Sequence, residues 1–288
     1  MPLTAETSRE SVVLKDLAAF GVVQVSDLAR KLRVSAVTIR KDLDALERRQ
    51  LLRRIRGGAI QASSTDEGRF DYRLRRREAE KKAIARRAAE LVEDGDTIAL
   101  DASTTCYYLA RTLLNRKDLV VITNGLQSAA LLMEESNATV ILPGGVLRRC
   151  SASIIAPFDL LLQGRGPITH GFFGAVSVST EIGLMEFDYG EADTKRTMAA
   201  ACLNLYGLVS SEKATQFGLH SFATPHQVTR IYTDEKVSLE FARDCAQAGM
   251  PVEVVSLSSA ALDGDADEEL ACAPASLPYP LKRKSALL

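Results

Sequence analysis

Apolar residues recur at helical spacing from the start of the chain. Val13, Leu14, Leu17 and Phe20 predict a helix over 9–20 that Gly21 stops. Leu28 and Leu32 put an apolar face on a short second helix, 27–32, which Ser26 can cap. Arg33-Val34 turns the chain, and Ser35 can cap a third helix over 36–49. There Ile39, Leu43 and Leu46, at i, i+4 and i+7, form one buried stripe, while Thr38, Arg40, Lys41, Arg48 and Arg49 make the remainder polar and largely basic. Leu51–Arg56 and Ala59–Gln61 then read as two short strands around the Gly57-Gly58 turn.

Residues 62–68, ASSTDEG, read as a polar linker that runs with 69–79 into a connecting helix. That helix is expected over 69–93, with Ile84, Ala88 and Leu91 as its apolar stripe and Gly95 at its end. Strands then alternate with helices. Strands are expected at 97–100, 119–123, 139–142, 171–175, 207–210, 230–232 and 252–255, and helices at 105–114, 125–135, 157–163, 189–205 and 238–248. Such alternation implies a mostly parallel sheet covered on both faces. The division is 9–61, 62–79, 80–255 and a tail, 256–288, whose small, acidic, proline-bearing composition predicts disorder.

Composition narrows the class. With 46% hydrophobic and 25% charged residues the 288-residue chain is neither collagen-like nor mostly disordered. It has no run of 18 apolar residues, so no membrane partner is expected. Its N-terminus has no apolar secretory core, which suggests a cytoplasmic location. Five scattered cysteines and three histidines predict neither a disulfide framework nor a metal site. The net charge of −1 hides a division: residues 1–90 carry 21 Lys and Arg against 13 Asp and Glu, and the remainder 15 against 24. A basic first third fits a polyanion partner, or a solvated charged surface.

The stretch 25–59 has what a major-groove reader requires: two short helices, a tight turn and a polar face on the second. Ser35 and Thr38 can reach bases or phosphates, and Arg40 and Lys41 a phosphate or a guanine edge. Arg53, Arg54, Arg56 and Gly57 would form a wing beside the backbone. A three-helix unit with a charged outer face is the plain alternative. Further along, Asp101-Ala102-Ser103-Thr104-Thr105 joins a strand to a helix and forms either a phosphate cradle or a simple helix cap. Asn124 and the Gly144-Gly145 pair follow strands, where open sheets bind ligands, but also where plain turns occur. Glu191 and Lys195, at i and i+4, could pair with one another for only ~0.3–0.5 kcal/mol. Lys213 could add a phosphate contact.

VSDLARKLRVSAVTIRKDLDALERRQLLRRIRGGA (25–59) closely resembles the winged helix-turn-helix of DeoR-family bacterial transcriptional regulators. The segments 80–101, 120–129, 140–149 and 191–198 resemble that family's sensor domain, so the likeness covers about 9–255. The resemblance implies an α/β architecture: an N-terminal winged helix-turn-helix, then a mostly parallel-sheet sensor of the ribose-5-phosphate isomerase-like type. It implies double-stranded operator DNA as partner, a phosphorylated sugar as effector, repression as the commoner habit, and neither cofactor nor catalysis. Asp101, Ser103, Thr104, Thr105, Asn124, Gly144, Gly145, Glu191, Lys195 and Lys213 would surround the effector. The chain departs from the family pattern at Ser103, Ala156, His170, Val178 and Ser210. A homo-oligomer is expected, because one such unit buries little DNA surface. The alternatives are a sugar-phosphate isomerase or deaminase with an accessory domain, using Asp101, Glu191 or His170 as base, and a DNA-binding regulator whose sensor has lost its ligand.

Overall fold

Gly21 takes a left-handed φ of 77° and ends the first helix, α1 (Ala5–Phe20), its N–H donating to the Leu17 carbonyl at 2.8 Å. The chain then forms a strand that hydropathy did not reveal, β1 (Val22–Gln24), and passes without a loop into α2 (Val25–Leu32). Gln24, not Ser26, is therefore the residue ahead of α2: pairing of β1 with the hairpin fixes Gln24, and the Val25 N–H donates to the Gly57 carbonyl. Arg33 makes the turn in the left-handed region at φ 53°. Ser35 accepts the Thr38 N–H at 3.1 Å and caps α3 (Ala36–Arg48). The hairpin β2 (Leu52–Ile55) and β3 (Gly58–Gln61) joins β1 in a sheet ordered β1-β3-β2. Ile39, Leu43 and Leu46 are fully buried with Val13, Leu17, Leu28 and Leu52. Arg9 grips Asp42 with two bonds, at 2.9 and 3.1 Å, and fixes α1 on α3.

The computed structural model describes residues 5–48, 51–61, 69–158, 166–216 and 218–257. The expected linker 62–68, nearly all of the expected tail, and most of the expected helix 157–163 lie outside them; Pro157 and Phe158 are not helical. The connecting helix is not continuous. It divides into α4 (Phe70–Arg75) and α5 (Glu78–Ala89) because Arg77 turns left-handed at φ 53°. There the Arg76 guanidinium reaches the Glu212 carboxylate at 2.7 Å and Arg77 reaches it at 3.3 Å, so ion pairs to the following unit set the break.

That unit is a seven-stranded sheet, parallel throughout. Its strands are β4 (Thr97–Leu100), β5 (Val120–Thr123), β6 (Thr139–Ile141), β9 (Ile168–Phe173), β12 (Cys202–Leu208), β14 (Arg230–Asp234) and β15 (Val252–Val255), in the order β15-β14-β12-β9-β4-β5-β6. Between them lie α6 (Thr104–Thr112), α7 (Leu126–Glu135), α8 (Tyr189–Ala200) and α9 (Leu239–Gln247). The expected helix 189–205 is shorter, because Cys202–Leu205 alternates burial as the start of β12. Sequence reading also missed two antiparallel additions: the hairpin β7 (Val146–Arg148) with β8 (Ser153–Ile155), and the sheet of β10 (Ser177–Ser179), β11 (Gly183–Glu186) and β13 (His220–Ala223). Two apolar clusters cover the faces of the main sheet, one built on α5 and α6, the other on α8 and α9. Among the described residues no helix is long and apolar enough to cross a membrane.

Chain order reverses between β4 and β9, which places the carboxyl ends of these two strands side by side. Open α/β sheets bind their ligands at this position.

Gly58 brings the wing against β1: a Cβ there would stand 2.1 Å from the Val23 carbonyl oxygen. Gly58→Ala must push β1 and β3 apart. It is expected to cost about 1–3 kcal/mol, read as a lower urea midpoint by circular dichroism. An unchanged midpoint would contradict this close approach.

Candidate functional site

The first candidate surface is α3 with the hairpin beside it. Ser35, Arg40, Lys41, Arg53, Arg56 and Gly57 are exposed there, and Thr38 is half-buried, its hydroxyl 2.9 Å from that of Ser35. Arg54 differs from its expected role on the wing. Its N–H donates to the Glu47 carboxylate at 2.6 Å, and its guanidinium donates to the Gly58 and Arg40 carbonyls at 3.1 and 3.2 Å and pairs with Asp44. The side chain is thus a strut that holds the wing against α3. An exposed basic helix with a braced wing can lie in a major groove and beside the phosphate backbone.

The second is a cleft at the reversal of chain order, holding about 900 Å³ of space that opens to solvent. Three strand ends form its floor: Ala102–Thr105 after β4, Gly174–Val176 after β9, and Val209-Ser210 after β12. Ser103 caps α6, its oxygen accepting the Cys106 N–H at 3.2 Å. It stands where Gly174 has room for it, since a Cβ on Gly174 would lie 2.4 Å from that of Ser103.

Under the floor lies a buried charge network. Lys195 spends its three donors on Asp101 Oδ2 at 2.6 Å, Glu186 Oε1 at 2.6 Å and the Gly174 carbonyl at 3.0 Å. Asp101, fully buried, also accepts the Ser103 N–H at 2.9 Å and the Gly174 N–H at 2.8 Å, and so ties β4 to β9. Burial alone would lower the Lys195 pKa, but the Asp101 and Glu186 carboxylates outweigh it and raise the group above its ordinary value. Burial pushes Glu186 up to about 7 against the pull of Lys195.

The rest of the wall has two characters. On one side Glu191 accepts from Arg148 at 3.1 Å, from Ser151 at 2.7 Å and from Ser153. On the other stand cations from the connecting segment and the loop after β12. Burial, reinforced by the neighbouring charge of Arg73, lowers Lys81 to about 7, and burial lowers Lys213 to about 7. A group able to gain charge on meeting an anion is thereby held near neutrality.

Of the expected ligand residues, Ser103, Thr104, Thr105, Glu191, Lys195 and Lys213 line the cleft, and Asp101 lies directly beneath. Asn124, Gly144 and Gly145 do not. They follow β5 and β6, away from the reversal. There β8 seals the sheet end: Ile154 exchanges hydrogen bonds with Asn124, donating its N–H at 2.8 Å, and Gly145 packs on the Ile155 carbonyl. Glu191 and Lys195 do not pair with one another despite their spacing, because Arg148 with two serines takes one, and Asp101 with Glu186 the other. Asp101 has its bonds filled by backbone and Lys195, and His170 sits mid-strand on β9 beside Phe172 and Tyr206, so neither is posed as a base toward the cleft.

Sequence reading missed Arg73, Arg76, Lys81, Arg148 and Glu186. Two left a signal. Lys81 falls on the apolar stripe of Ile84 and Ala88, at i, i+3 and i+7, where a solvated lysine does not belong, and Glu186 ends the wholly buried run Gly183–Met185.

A braced winged helix-turn-helix joined to an α/β unit with a charge-lined cleft defines a DNA-binding transcriptional regulator with a sensor. Residues 9–65 match the family described as DeoR-like helix-turn-helix domain, and residues 76–235 the DeoR C terminal sensor domain. The chain is 32% identical to the HTH-type transcriptional regulator GolR of Listeria innocua, over 85% of this chain and 97% of that one. It is 33% identical to the HTH-type transcriptional repressor CsqR of Escherichia coli, over 82% and 91%. To the glycerol-3-phosphate regulon repressor of Escherichia coli it is 32% identical, over 80% and 91%. Among solved structures, ribose 5-phosphate isomerase A of Methanocaldococcus jannaschii overlaps 47% of this chain and 53% of its own at 18% identity and a TM-score of 0.36. The chain belongs to the DeoR family of transcriptional regulators.

Lys195→Met leaves two buried carboxylates facing one another. The expected cost is about 3–5 kcal/mol, measured by urea unfolding. Glu186, raised to about 7, stabilises the fold through its neutral form below its ordinary value of 4.5, and that contribution fades as pH rises through 7. Without the pull of Lys195 the Glu186 carboxyl is raised further, so the variant loses more stability than the parent as pH rises and its deficit is larger at pH 8 than at pH 5. A variant as stable as the parent at pH 8 would contradict the network.

Proposed function

We propose that the chain is a cytoplasmic, homo-oligomeric repressor of a carbohydrate-metabolism operon, released from its operator by a phosphorylated sugar held in the cleft. The observation that carries this reading is the division of the cleft into an anion end and a polyol end. Lys81 and Lys213, held near neutrality, line the cleft together with Thr104 and Thr105 at the N-terminus of α6, and these groups would offer cations, hydroxyls and backbone N–H groups to a phosphate. Glu191, ringed by Ser151, Ser153 and Arg148, offers with them acceptors and donors to sugar hydroxyls. A relative that represses the glycerol-3-phosphate regulon supports a phosphorylated metabolite as the signal. Lys195, whose donors are all used, organises this cleft and leaves the phosphate to Lys81 and Lys213.

On DNA, Ser35, Thr38, Arg40 and Lys41 would read the groove, with Arg53, Arg56 and Gly57 beside the backbone and Arg54 bracing them. Paired units on a two-fold operator would contact half-sites about 34–36 Å apart, or a multiple of that. The test is footprinting of the full chain on DNA flanking its own gene, with and without glycerol 3-phosphate, ribose 5-phosphate, glucose 6-phosphate and fructose 6-phosphate. Protected half-sites at that spacing, lost with one of these, are expected. Arg40→Ala should weaken the footprint by ~1–3 kcal/mol. Protection that no phosphorylated sugar relieves would favour instead a regulator whose sensor has lost its ligand.

Binding of a phosphate dianion should charge Lys81 and Lys213 and take up protons. Calorimetry in buffers of different ionisation heat is expected to show that uptake, with affinity falling as pH rises from 7 to 8.5, where both lysines lose their protons. Affinity that rises over this range would remove them from the anion end.

A further inference from the structure

The six-residue helix α4 touches both units. Its leading amides grip opposite sides: the Arg69 N–H donates to the Phe20 carbonyl at the end of α1, at 2.8 Å, and the Phe70 N–H to the Cys150 carbonyl between β7 and β8, at 2.7 Å. The next side chains repeat the division. Phe70 stands edge-on to Tyr107 of α6 at 5.7 Å. Tyr72 lies against Phe20 at 5.4 Å, and its hydroxyl donates to the Asp27 carboxylate in the first turn of α2 at 3.2 Å. Yet Tyr72, Arg73 and Arg76 also line the effector cleft.

Arg73 is only partly satisfied: its guanidinium stands over the Phe70 ring, 6.0 Å from the centroid. Its Nε and Nη2 are buried and have no hydrogen-bond partner among the described residues, whereas Arg76 beside it is paired with Glu212. Buried donors without acceptors are costly, and a guanidinium in a cleft with two near-neutral lysines is matched to an oxyanion. Lys81 adds a mechanical link, because its ammonium donates to the Arg73 carbonyl. A helix of six residues has little stability of its own, so these few contacts hold it in place.

We propose that Arg73 is an anion ligand of the effector site and that Tyr72, through Asp27 and Phe20, is the latch by which α4 holds the DNA-binding unit in its operator-competent pose. The proposal rests on the effector reading above and assigns its coupling element. An anion drawn onto Arg73 and Lys81 loads the carboxyl end of α4, while the latch holds the other unit through the same turn. Occupancy and latching therefore compete, which gives the effector its differential affinity for the two states. Burial and the Asp27 charge raise the Tyr72 hydroxyl to about 12, so it remains a donor at physiological pH.

The latch is tested without effector, on the full chain with its footprinted DNA. Tyr72→Phe and Asp27→Ala should each weaken binding at least fivefold, and the double variant should be no weaker than the worse single one, as in a coupled pair. Parental affinity in both single variants, or losses that multiply in the double variant, would overturn the latch. The anion ligand is tested by calorimetry with inorganic phosphate and the four phosphorylated sugars. Arg73→Gln should weaken whichever probe the parent binds at least tenfold, with partial recovery in Arg73→Lys, and Asp27→Ala, which opens the latch, should bind it at least as tightly as the parent. An Arg73→Gln variant that binds like the parent overturns the assignment of Arg73. If the parent binds none of these probes, the effector reading and the role of Arg73 both fall, while the double-variant cycle still decides the latch.

Discussion

A buried lysine holds the sensor together. Lys195 joins Asp101 at the end of β4, Gly174 at the end of β9 and Glu186 at the end of β11, three separate chain segments. Removing a full charge from water is costly, and this site offsets the cost with three short bonds and two opposing carboxylates. The strand ends it fixes are those between which chain order reverses, so the same bonds that satisfy Lys195 shape the floor of the cleft. Asp101, Glu186 and Lys195 thus form one buried cluster under the cleft. Their bonding capacity is spent on one another and on backbone.

The cleft walls are then free to differ. Glu191 and Lys195 occupy successive turns of one buried face of α8, yet the first is tied to the β7–β8 hairpin and the second to the sheet. Glu191 stands with Arg148 and two serines, and the partly discharged Lys81 with Arg73, Arg76 and Glu212. The cationic side is built largely from the segment that leads out of the DNA-binding unit, α4 and α5, so the walls of the sensor include the connector itself.

Much of this was legible in the chain. The stripe Ile39, Leu43, Leu46 and the cap Ser35 set α3, and strands β4 and β15 fall where hydropathy placed them, because a buried stripe or an apolar run is a local signal. Strand β1 was not legible, since three residues between two helices acquire strand geometry only from pairing with β3. The break at Arg77 was hidden for a similar reason: its cause is Glu212, more than a hundred residues away. Of the residues named from motif and position, Ser103 to Thr105, Glu191, Lys195 and Lys213 line the cleft, whereas Asn124, Gly144 and Gly145 lie outside it. A strand end marks a ligand site only near the reversal of strand order, and the pairing of β4 with β9 across seventy residues decides where that lies. Arg73 carried no sequence signal, because a run of arginines on a short helix reads as a solvated face.

In the proposed coupling, occupancy of the cleft is felt at the connector and, through it, at the DNA-binding unit. Amide hydrogen exchange of the full chain, with and without a saturating phosphorylated sugar that binds it, tests this most directly. Slower exchange is expected at 102–108, around the N-terminus of α6, together with faster exchange at 69–75 and 20–28, where α4 meets α1 and α2. Protection confined to the cleft, with the amides of 69–75 and 20–28 unchanged, would contradict it.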